Sequence, residues 1–206
     1  MNQRLNRVGF ATLSAAMILL WSFSGNAQLQ VAEDRSKSGS PFNLAPNPSF
    51  EDGEDYPIGW EMEGQGEGTF KWKSTRGRTD NHALSIRNIG AGANLNWVTS
   101  TFISIEPDHD YEISAWYRNT THTSTIAFLA VFWGEDAYAM GSTGIWQMKP
   151  TTEWTYRSFV VSGEQVRKSF PGANRVKLSF GGSTQIKEGG AVWIDDVAFK
   201  DVTSSR

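Results

Sequence analysis

The 206-residue chain carries 19 basic and 22 acidic side chains, nine tryptophans and no cysteine, for a formal net charge of -3. That mild acidity argues against nucleic acid and anionic membrane surfaces as partners. The absence of cysteine excludes disulfides, thiolate metal sites and lipidated cysteines, so stability must come from packing and from any bound ion.

The N-terminus reads as a secretory signal over residues 1–27. Arg4 and Arg7 supply a positive start, Val8 to Trp21 an apolar run, and Gly25-Asn26-Ala27 a small-residue cleavage site, with cleavage expected after Ala27. The apolar run falls short of the roughly 20 residues a membrane span needs, so the expectation is a secreted protein, extracellular or periplasmic, without a membrane span. Removing Arg4 and Arg7 takes the 19 basic side chains to 17 against 22 acidic ones, a net charge of -5. Residues 28–41 are polar and Ser/Gly-bearing, a flexible leader. Residues 42–202 have the length of one domain with a two-layer core, and 203–206 read as a disordered tail.

Within the domain, short apolar or alternating runs recur between Gly, Pro, Asn and Asp, and no helical stripe extends over three turns. The predicted strands are Gly68 to Trp72, Ala83 to Arg87, Leu95 to Ile105, Tyr111 to Arg118, Thr125 to Trp133, Gly144 to Met148, Trp154 to Val161, Arg175 to Phe180 and Ala191 to Lys200. This is an all-β pattern that fits a β-sandwich. Alternation sets Val176, Leu178 and Phe180 against Arg175, Lys177 and Ser179, and places Tyr111, Ile113, Ala115 and Tyr117 on one face. The run Thr125 to Trp133 is apolar on both faces, which predicts a mid-sheet strand covered on each side.

Two segments, Asn47-Pro-Ser-Phe-Glu-Asp-Gly53 and Val192-Trp-Ile-Asp-Asp-Val197, set carboxylates among apolar residues with no neighbouring Lys or Arg. Buried carboxylates need partners, and a shared hard cation such as Ca2+ would explain both; hydrogen-bonded carboxylates without metal are the other reading.

The same segments carry a family likeness, together with N-L-A-P-N-P-S-F-E-D-G from Asn43, P-I-G-W ending at Trp60, H-A-L-S-I from His82, W-V-T-S-T-F-I-S-I-E-P from Trp97, Y-E-I-S-A-W from Tyr111, T-T-E-W from Thr151 and V-W-I-D-D-V from Val192. In that order they resemble the family 4/9/16/22 (CenC-like) carbohydrate-binding modules. The resemblance implies a jelly-roll β-sandwich of two antiparallel sheets, galactose-binding-domain-like, with a structural Ca2+ where the first and last strands meet. Its ligands would be the side chains of Glu51 and Asp195 and backbone carbonyls near Ser49, Thr79 and His82; Asp196, of opposite strand parity, would face solvent.

The resemblance also divides the aromatics. Trp60, Trp116, Trp154 and Trp193 fall in framework motifs and are expected in the core. Trp97, Trp133, Tyr138 and Trp146 cluster around the strands and loops that build the concave glycan face in such modules. Trp97 matches a position where the family presents a sugar-stacking aromatic, and core burial is the alternative for it. Polar partners for such a cleft include Asn96 and Arg118.

No nucleophile elbow, zinc-protease helix or phosphate loop is present, and His82, His109 and His122 lie far apart. Acidic pairs such as Glu54 with Asp55 or Glu135 with Asp136 could be imagined as a glycosidase acid and base, but acids are common in loops. The expectation is a non-catalytic, monomeric module that binds a polysaccharide or oligosaccharide, alongside separately secreted glycoside hydrolases. The alternative is a structural or adhesion module that uses the same sandwich to bind a protein or cell-wall partner.

Overall fold

The computed structural model describes residues 43–72, 77–87, 89–121, 126–136, 138–182 and 190–203. The expected signal (1–27), the leader (28–41), Phe42, His122 and the last three residues lie outside the described residues.

Two antiparallel sheets pack face to face as a jelly-roll sandwich. One sheet is built from β1 (Trp60–Gln65), β4 (Asn94–Thr99), β10 (Arg175–Gly182), β7 (Ala127–Trp133) and β8 (Ala139–Ile145), in that order, with β5 (Ile103–Ser104) pairing β10. The other runs β2 (Thr69–Lys71), β3 (Leu84–Arg87), β11 (Ala191–Asp201), β6 (Tyr111–Asn119), β9 (Thr155–Val161).

Strand alternation fills the space between the sheets. Leu95 and Trp97 of β4, Phe128, Ala130 and Phe132 of β7, and Val176, Leu178 and Phe180 of β10 meet Leu84, Ile86, Ile113, Ala115, Val192 and Ile194 from the facing sheet, all buried. Nearly every predicted strand is present, with three differences. The run Leu95 to Ile105 is broken by Ser100–Phe102 into β4 and β5. The run predicted at Gly144 to Met148 lies earlier, as β8, because it tracks β7 in register from Phe128 opposite Ile145 to Trp133 opposite Ala139. β1 was not expected, although Trp60, Met62 and Gly64 alternate with Glu61, Glu63 and Gln65.

The chain also forms one short helix among the described residues, α1 (Gly163–Ser169). Ser162 caps it, accepting a hydrogen bond from the Gln165 N–H on its Oγ, and Val166 anchors it to the core. Two turns are too short to show as a periodic stripe, but Ser162 followed three residues later by Gln165 is a capping-box pattern. No helix among the described residues is long and apolar enough to cross a membrane.

Candidate functional site

β7 was expected to be covered on both faces, and the structure corrects this. Phe128, Ala130 and Phe132 are fully buried, while Leu129, Val131 and Trp133 on the outer face stay half-exposed. Register fixes what surrounds them. On β10, Ser179 lies beside Leu129, Lys177 beside Val131 and Arg175 beside Trp133. Beyond β10, Val98 and Asn96 of β4 flank Ser179 and Gly181, and Glu61 and Glu63 of β1 flank Val98 and Asn96 in turn. On the other side, Gly144 and Ser142 of β8 lie beside Leu129 and Val131. The outer face of the six-stranded sheet therefore has an apolar stripe down β7, small residues (Ala127, Gly181, Gly144) near one end, and a polar flank on β1 and β4.

Aromatic side chains stand at both ends of the stripe. Trp146 directly follows β8, on the parity opposite to the buried Ile145, and is 53% exposed; Tyr138, in the turn after Trp133, is 60% exposed. The six residue steps of β7 from Ala127 to Trp133 separate these ends by about 20 Å at ~3.3 Å per residue. Trp133 is held at its end by an edge-on contact with Phe102 (5.4 Å between centroids), and the Arg175 guanidinium lies 4.3 Å from the Phe102 ring centroid while donating to the Gly134 carbonyl (2.9 Å). The Trp133 indole N–H and Arg175 Nε are buried donors without hydrogen-bond partners among the described residues. An unpaired buried donor costs about 1–3 kcal/mol. On the polar flank, Lys177 Nζ sits 3.0 Å from Glu61 Oε1 and 3.7 Å from Glu63 Oε1, which fixes an ammonium and two carboxylates at the rim.

A second constellation lies where the N-terminal loop meets β11. Asp195 is 1% exposed, and its two oxygens accept from the backbone N–H groups of Arg78 (2.7 Å) and Asp196 (2.7 Å). Burial, with Asp196 and Glu51 nearby adding negative charge, pushes its carboxyl up to about 7 against the pull of those two hydrogen bonds. Glu51 accepts from the His82 backbone N–H (2.8 Å) and pairs with His82 Nδ1 (2.6 Å). Ser49 falls between Pro48, whose carbonyl accepts from the Val197 N–H, and the buried Phe50. Thr79 turns its hydroxyl to Asp196. The expectation that Asp196 faces solvent is corrected: a bulge between Asp195 and Ala198 breaks strand parity, Asp196 takes φ +46°, and its side chain is 7% exposed in an ion pair with Arg78 (2.8 Å).

The donor chemistry of this corner suits a hard cation. Glu51 and Asp195 supply carboxylate oxygens, and a side chain begun at Gly77 would lie 2.6 Å from the Asp80 carbonyl and 2.7 Å from the His82 carbonyl, so two carbonyl oxygens converge on one small space. No group of three or more acidic, His or Cys side chains gathers in metal-binding geometry among the described residues. A cation here would draw much of its shell from backbone.

Neither a family model nor a curated protein sequence matches the chain. Its shape does match solved structures. A family 16 carbohydrate-binding module aligns at 16% identity and TM-score 0.53, over 77% of this chain and 100% of that one. A family 4 module aligns at 13% identity and TM-score 0.53, over 76% and 99%. The enzymatically active domain of tailspike protein 4 from bacteriophage CBA120 aligns at 18% identity and TM-score 0.60 over 78% of this chain, which spans only 22% of the length of that solved chain. The fold is that of the family 4 and family 16 modules.

Against that frame, two site residues expected from the sequence are misplaced. Trp97 is not an open platform: it is 1% exposed, its indole N–H donates to the Ser85 carbonyl (3.2 Å), and Phe70 meets it edge-on at 5.3 Å. Its parity with Leu95 and Thr99 turns it into the core. Arg118 lies on the outer face of the other sheet, where it and Arg87 approach the Trp193 ring at 5.5 and 5.3 Å. It is not part of the Trp133–Trp146 face. Asn96, Trp133, Tyr138 and Trp146 do belong to the six-stranded sheet's outer side or its adjoining loops. Of the expected core tryptophans, Trp60 lies in the core, Trp193 is buried outside it in a separate cluster with Ala83 and Ala191, and Trp116 and Trp154 are half-exposed. Sequence reading named neither Lys177 with Glu61 and Glu63 nor the Leu129–Val131 stripe as part of the site.

Proposed function

We propose that this chain is a secreted, non-catalytic carbohydrate-binding module that lays a glycan chain along the outer face of the six-stranded sheet. The observation that carries the reading is the half-exposed stripe of Leu129, Val131 and Trp133, ended by Trp146 and Tyr138. A sugar ring offers an apolar C–H face to such a surface and hydroxyls to its edges, so the stripe takes the rings while Asn96, Lys177, Glu61 and Glu63 take hydroxyls. Binding without chemistry is supported by the likeness of the fold to carbohydrate-binding modules of families 16 and 4.

A structural Ca2+ is part of the proposal. Glu51 and Asp195, with carbonyls of the Ser49 turn and the 79–82 loop, would hold it. When bound, the ion supplies the positive charge that a carboxylate as buried as Asp195 needs. The signal-like segment 1–27 supports secretion, and the module acts as a monomer beside separately secreted glycoside hydrolases.

The test is binding of the chain from Gln28 onward to a glycan array and to insoluble polysaccharides, with 1 mM Ca2+ or with chelator. Retention on one class of polysaccharide, reduced in Trp146→Ala, is the expected result. A folded protein that binds none, and that instead captures a protein or cell-wall partner through the same face, would replace this reading with the adhesion one.

A further inference from the structure

A pocket of about 410 Å3 opens at one edge of the sandwich, between β1, which ends the six-stranded sheet, and β2, which ends the five-stranded one. It exists because β2 is only three residues long and closes little of that edge. Trp97 and Phe70 meet edge-on at its floor. Met62, opposite Trp97 in register and therefore pointing between the sheets, is left 41% exposed along one wall.

The other wall is built to stay in place. Trp72 donates its indole N–H to the Phe50 carbonyl (2.7 Å) and stacks on His82 at 4.8 Å. Over it folds the loop from Asp52 to Ile58, braced by Asn47, whose Nδ2 donates to the Asp52 and Ile58 carbonyls (2.8 and 3.2 Å) and whose Oδ1 accepts from the Asp52 N–H (3.1 Å). Gly53, at φ +147°, is pressed so close that a Cβ would stand 2.9 Å from the Trp72 ring and 2.1 Å from the Tyr56 carbonyl. The loop holds Tyr56, 59% exposed, at the rim, with Asp55 beside it and Lys71 across from it.

We propose that this pocket is a second sugar site, which takes a single ring or the terminal unit of a glycan. The ligand class follows from the lining. Tyr56 and Trp72 offer aromatic surface to ring C–H groups, and a carboxylate and an ammonium offer an acceptor and a donor to hydroxyls. The volume lies near the lower end of the range for small-molecule pockets, and the Trp97–Phe70 floor blocks a chain from passing through. The inference rests on the sugar-binding reading for its ligand class, but the two sites are physically separate. They stand back to back on β1 and β4: the face uses Glu63 and Asn96, and the pocket uses Met62 and Trp97.

The experiment titrates the protein with the methyl glycosides of glucose, xylose, galactose and mannose, and separately with xylohexaose, following backbone amides by heteronuclear NMR. Three variants are compared: Tyr56→Ala, Met62→Trp to fill the pocket, and Trp146→Ala on the face. At least one methyl glycoside should shift amides of residues 53–57 and 69–72. Tyr56→Ala should weaken that binding about tenfold, in line with aromatic contact energies, and Met62→Trp should abolish it, while Trp146→Ala leaves it unchanged. Loss of methyl glycoside binding in Trp146→Ala but not in Tyr56→Ala would overturn the pocket assignment, as would xylohexaose binding with no response to any methyl glycoside. Methyl glycoside binding at the pocket without any polysaccharide binding would uphold the pocket and sink the face.

Discussion

Replacing Trp97 and Trp146 by alanine should separate stability from binding. Trp97 is 1% exposed, packs on Phe70 and donates to the Ser85 carbonyl, so Trp97→Ala leaves a large cavity and an unpaired carbonyl. Truncations of that kind cost about 3–5 kcal/mol. At roughly 2–4 °C per kcal/mol for a domain of this size, the melting temperature should fall by about 6–20 °C. Trp97→Phe keeps ring packing and loses chiefly the hydrogen bond, so it should cost about 1 kcal/mol. Trp146 is 53% exposed, and Trp146→Ala should change stability by no more than ~0.5 kcal/mol, the usual bound for surface substitutions. Its effect should fall on glycan binding, by about 1–3 kcal/mol if stacking on a sugar resembles stacking on a base. The assays are thermal melts by circular dichroism and affinity electrophoresis in soluble polysaccharide. The reasoning is refuted if Trp97→Ala melts within 2 °C of the parent, as surface-level costs would allow, and loses binding instead.

Three further outcomes are expected. Added Ca2+ should raise the melting temperature of the parent, and Asp195→Ala or Glu51→Ala should abolish that response; a calcium response retained in both variants would remove the ion from this corner. His109 pairs with Asp201 (2.5 Å), a hydrogen bond that raises the imidazole above its ordinary 6.5 against the opposing effect of desolvation, with lesser help from the charges of Asp201, Glu106 and Asp108. Because the folded value lies above the unfolded one, the contribution is full below pH 6.5 and fades as pH rises through the raised value; melts of His109→Ala should therefore differ from the parent more at pH 6 than at pH 9. Ser162→Ala removes the cap of α1 and should cost about 1 kcal/mol in chemical denaturation, with glycan binding intact.

The fold was legible where alternation had one answer. Val176, Leu178 and Phe180 could only face a core, and so could Ile113, Ala115 and Tyr117. The site was less legible because a glycan face and a core are both lined with aromatics, and only parity distinguishes them. Parity was present in the sequence for Trp97, which shares a face with Leu95, but family likeness pointed the other way. For Arg118 parity correctly gives an outer face, yet which sheet's outer face depends on the pairing of β6 with β11 and β9, a matter of topology that local sequence does not encode. Asp196 escaped because a bulge resets alternation, and its signal is a positive φ at a non-glycine residue, visible only in the backbone.

The two-sided apolarity of β7 is what the fold alone does not need. A strand next to a sheet edge requires one buried face, and Phe128, Ala130 and Phe132 supply it. Leaving Leu129, Val131 and Trp133 partly in water forgoes part of the ~1.5–3 kcal/mol that full burial of each aliphatic side chain would contribute. That cost is recovered only when something covers the stripe. A glycan that does so removes apolar surface from water on both partners, and the heat capacity change of binding must then be negative. Calorimetry of the bound polysaccharide class between 10 and 35 °C should show binding enthalpy becoming more favourable with temperature, and Val131→Thr, nearly the same shape but carrying a hydroxyl, should flatten that slope. A slope of zero in the parent would mean that the glycan is held by hydrogen bonds at the rim and that the stripe serves another partner.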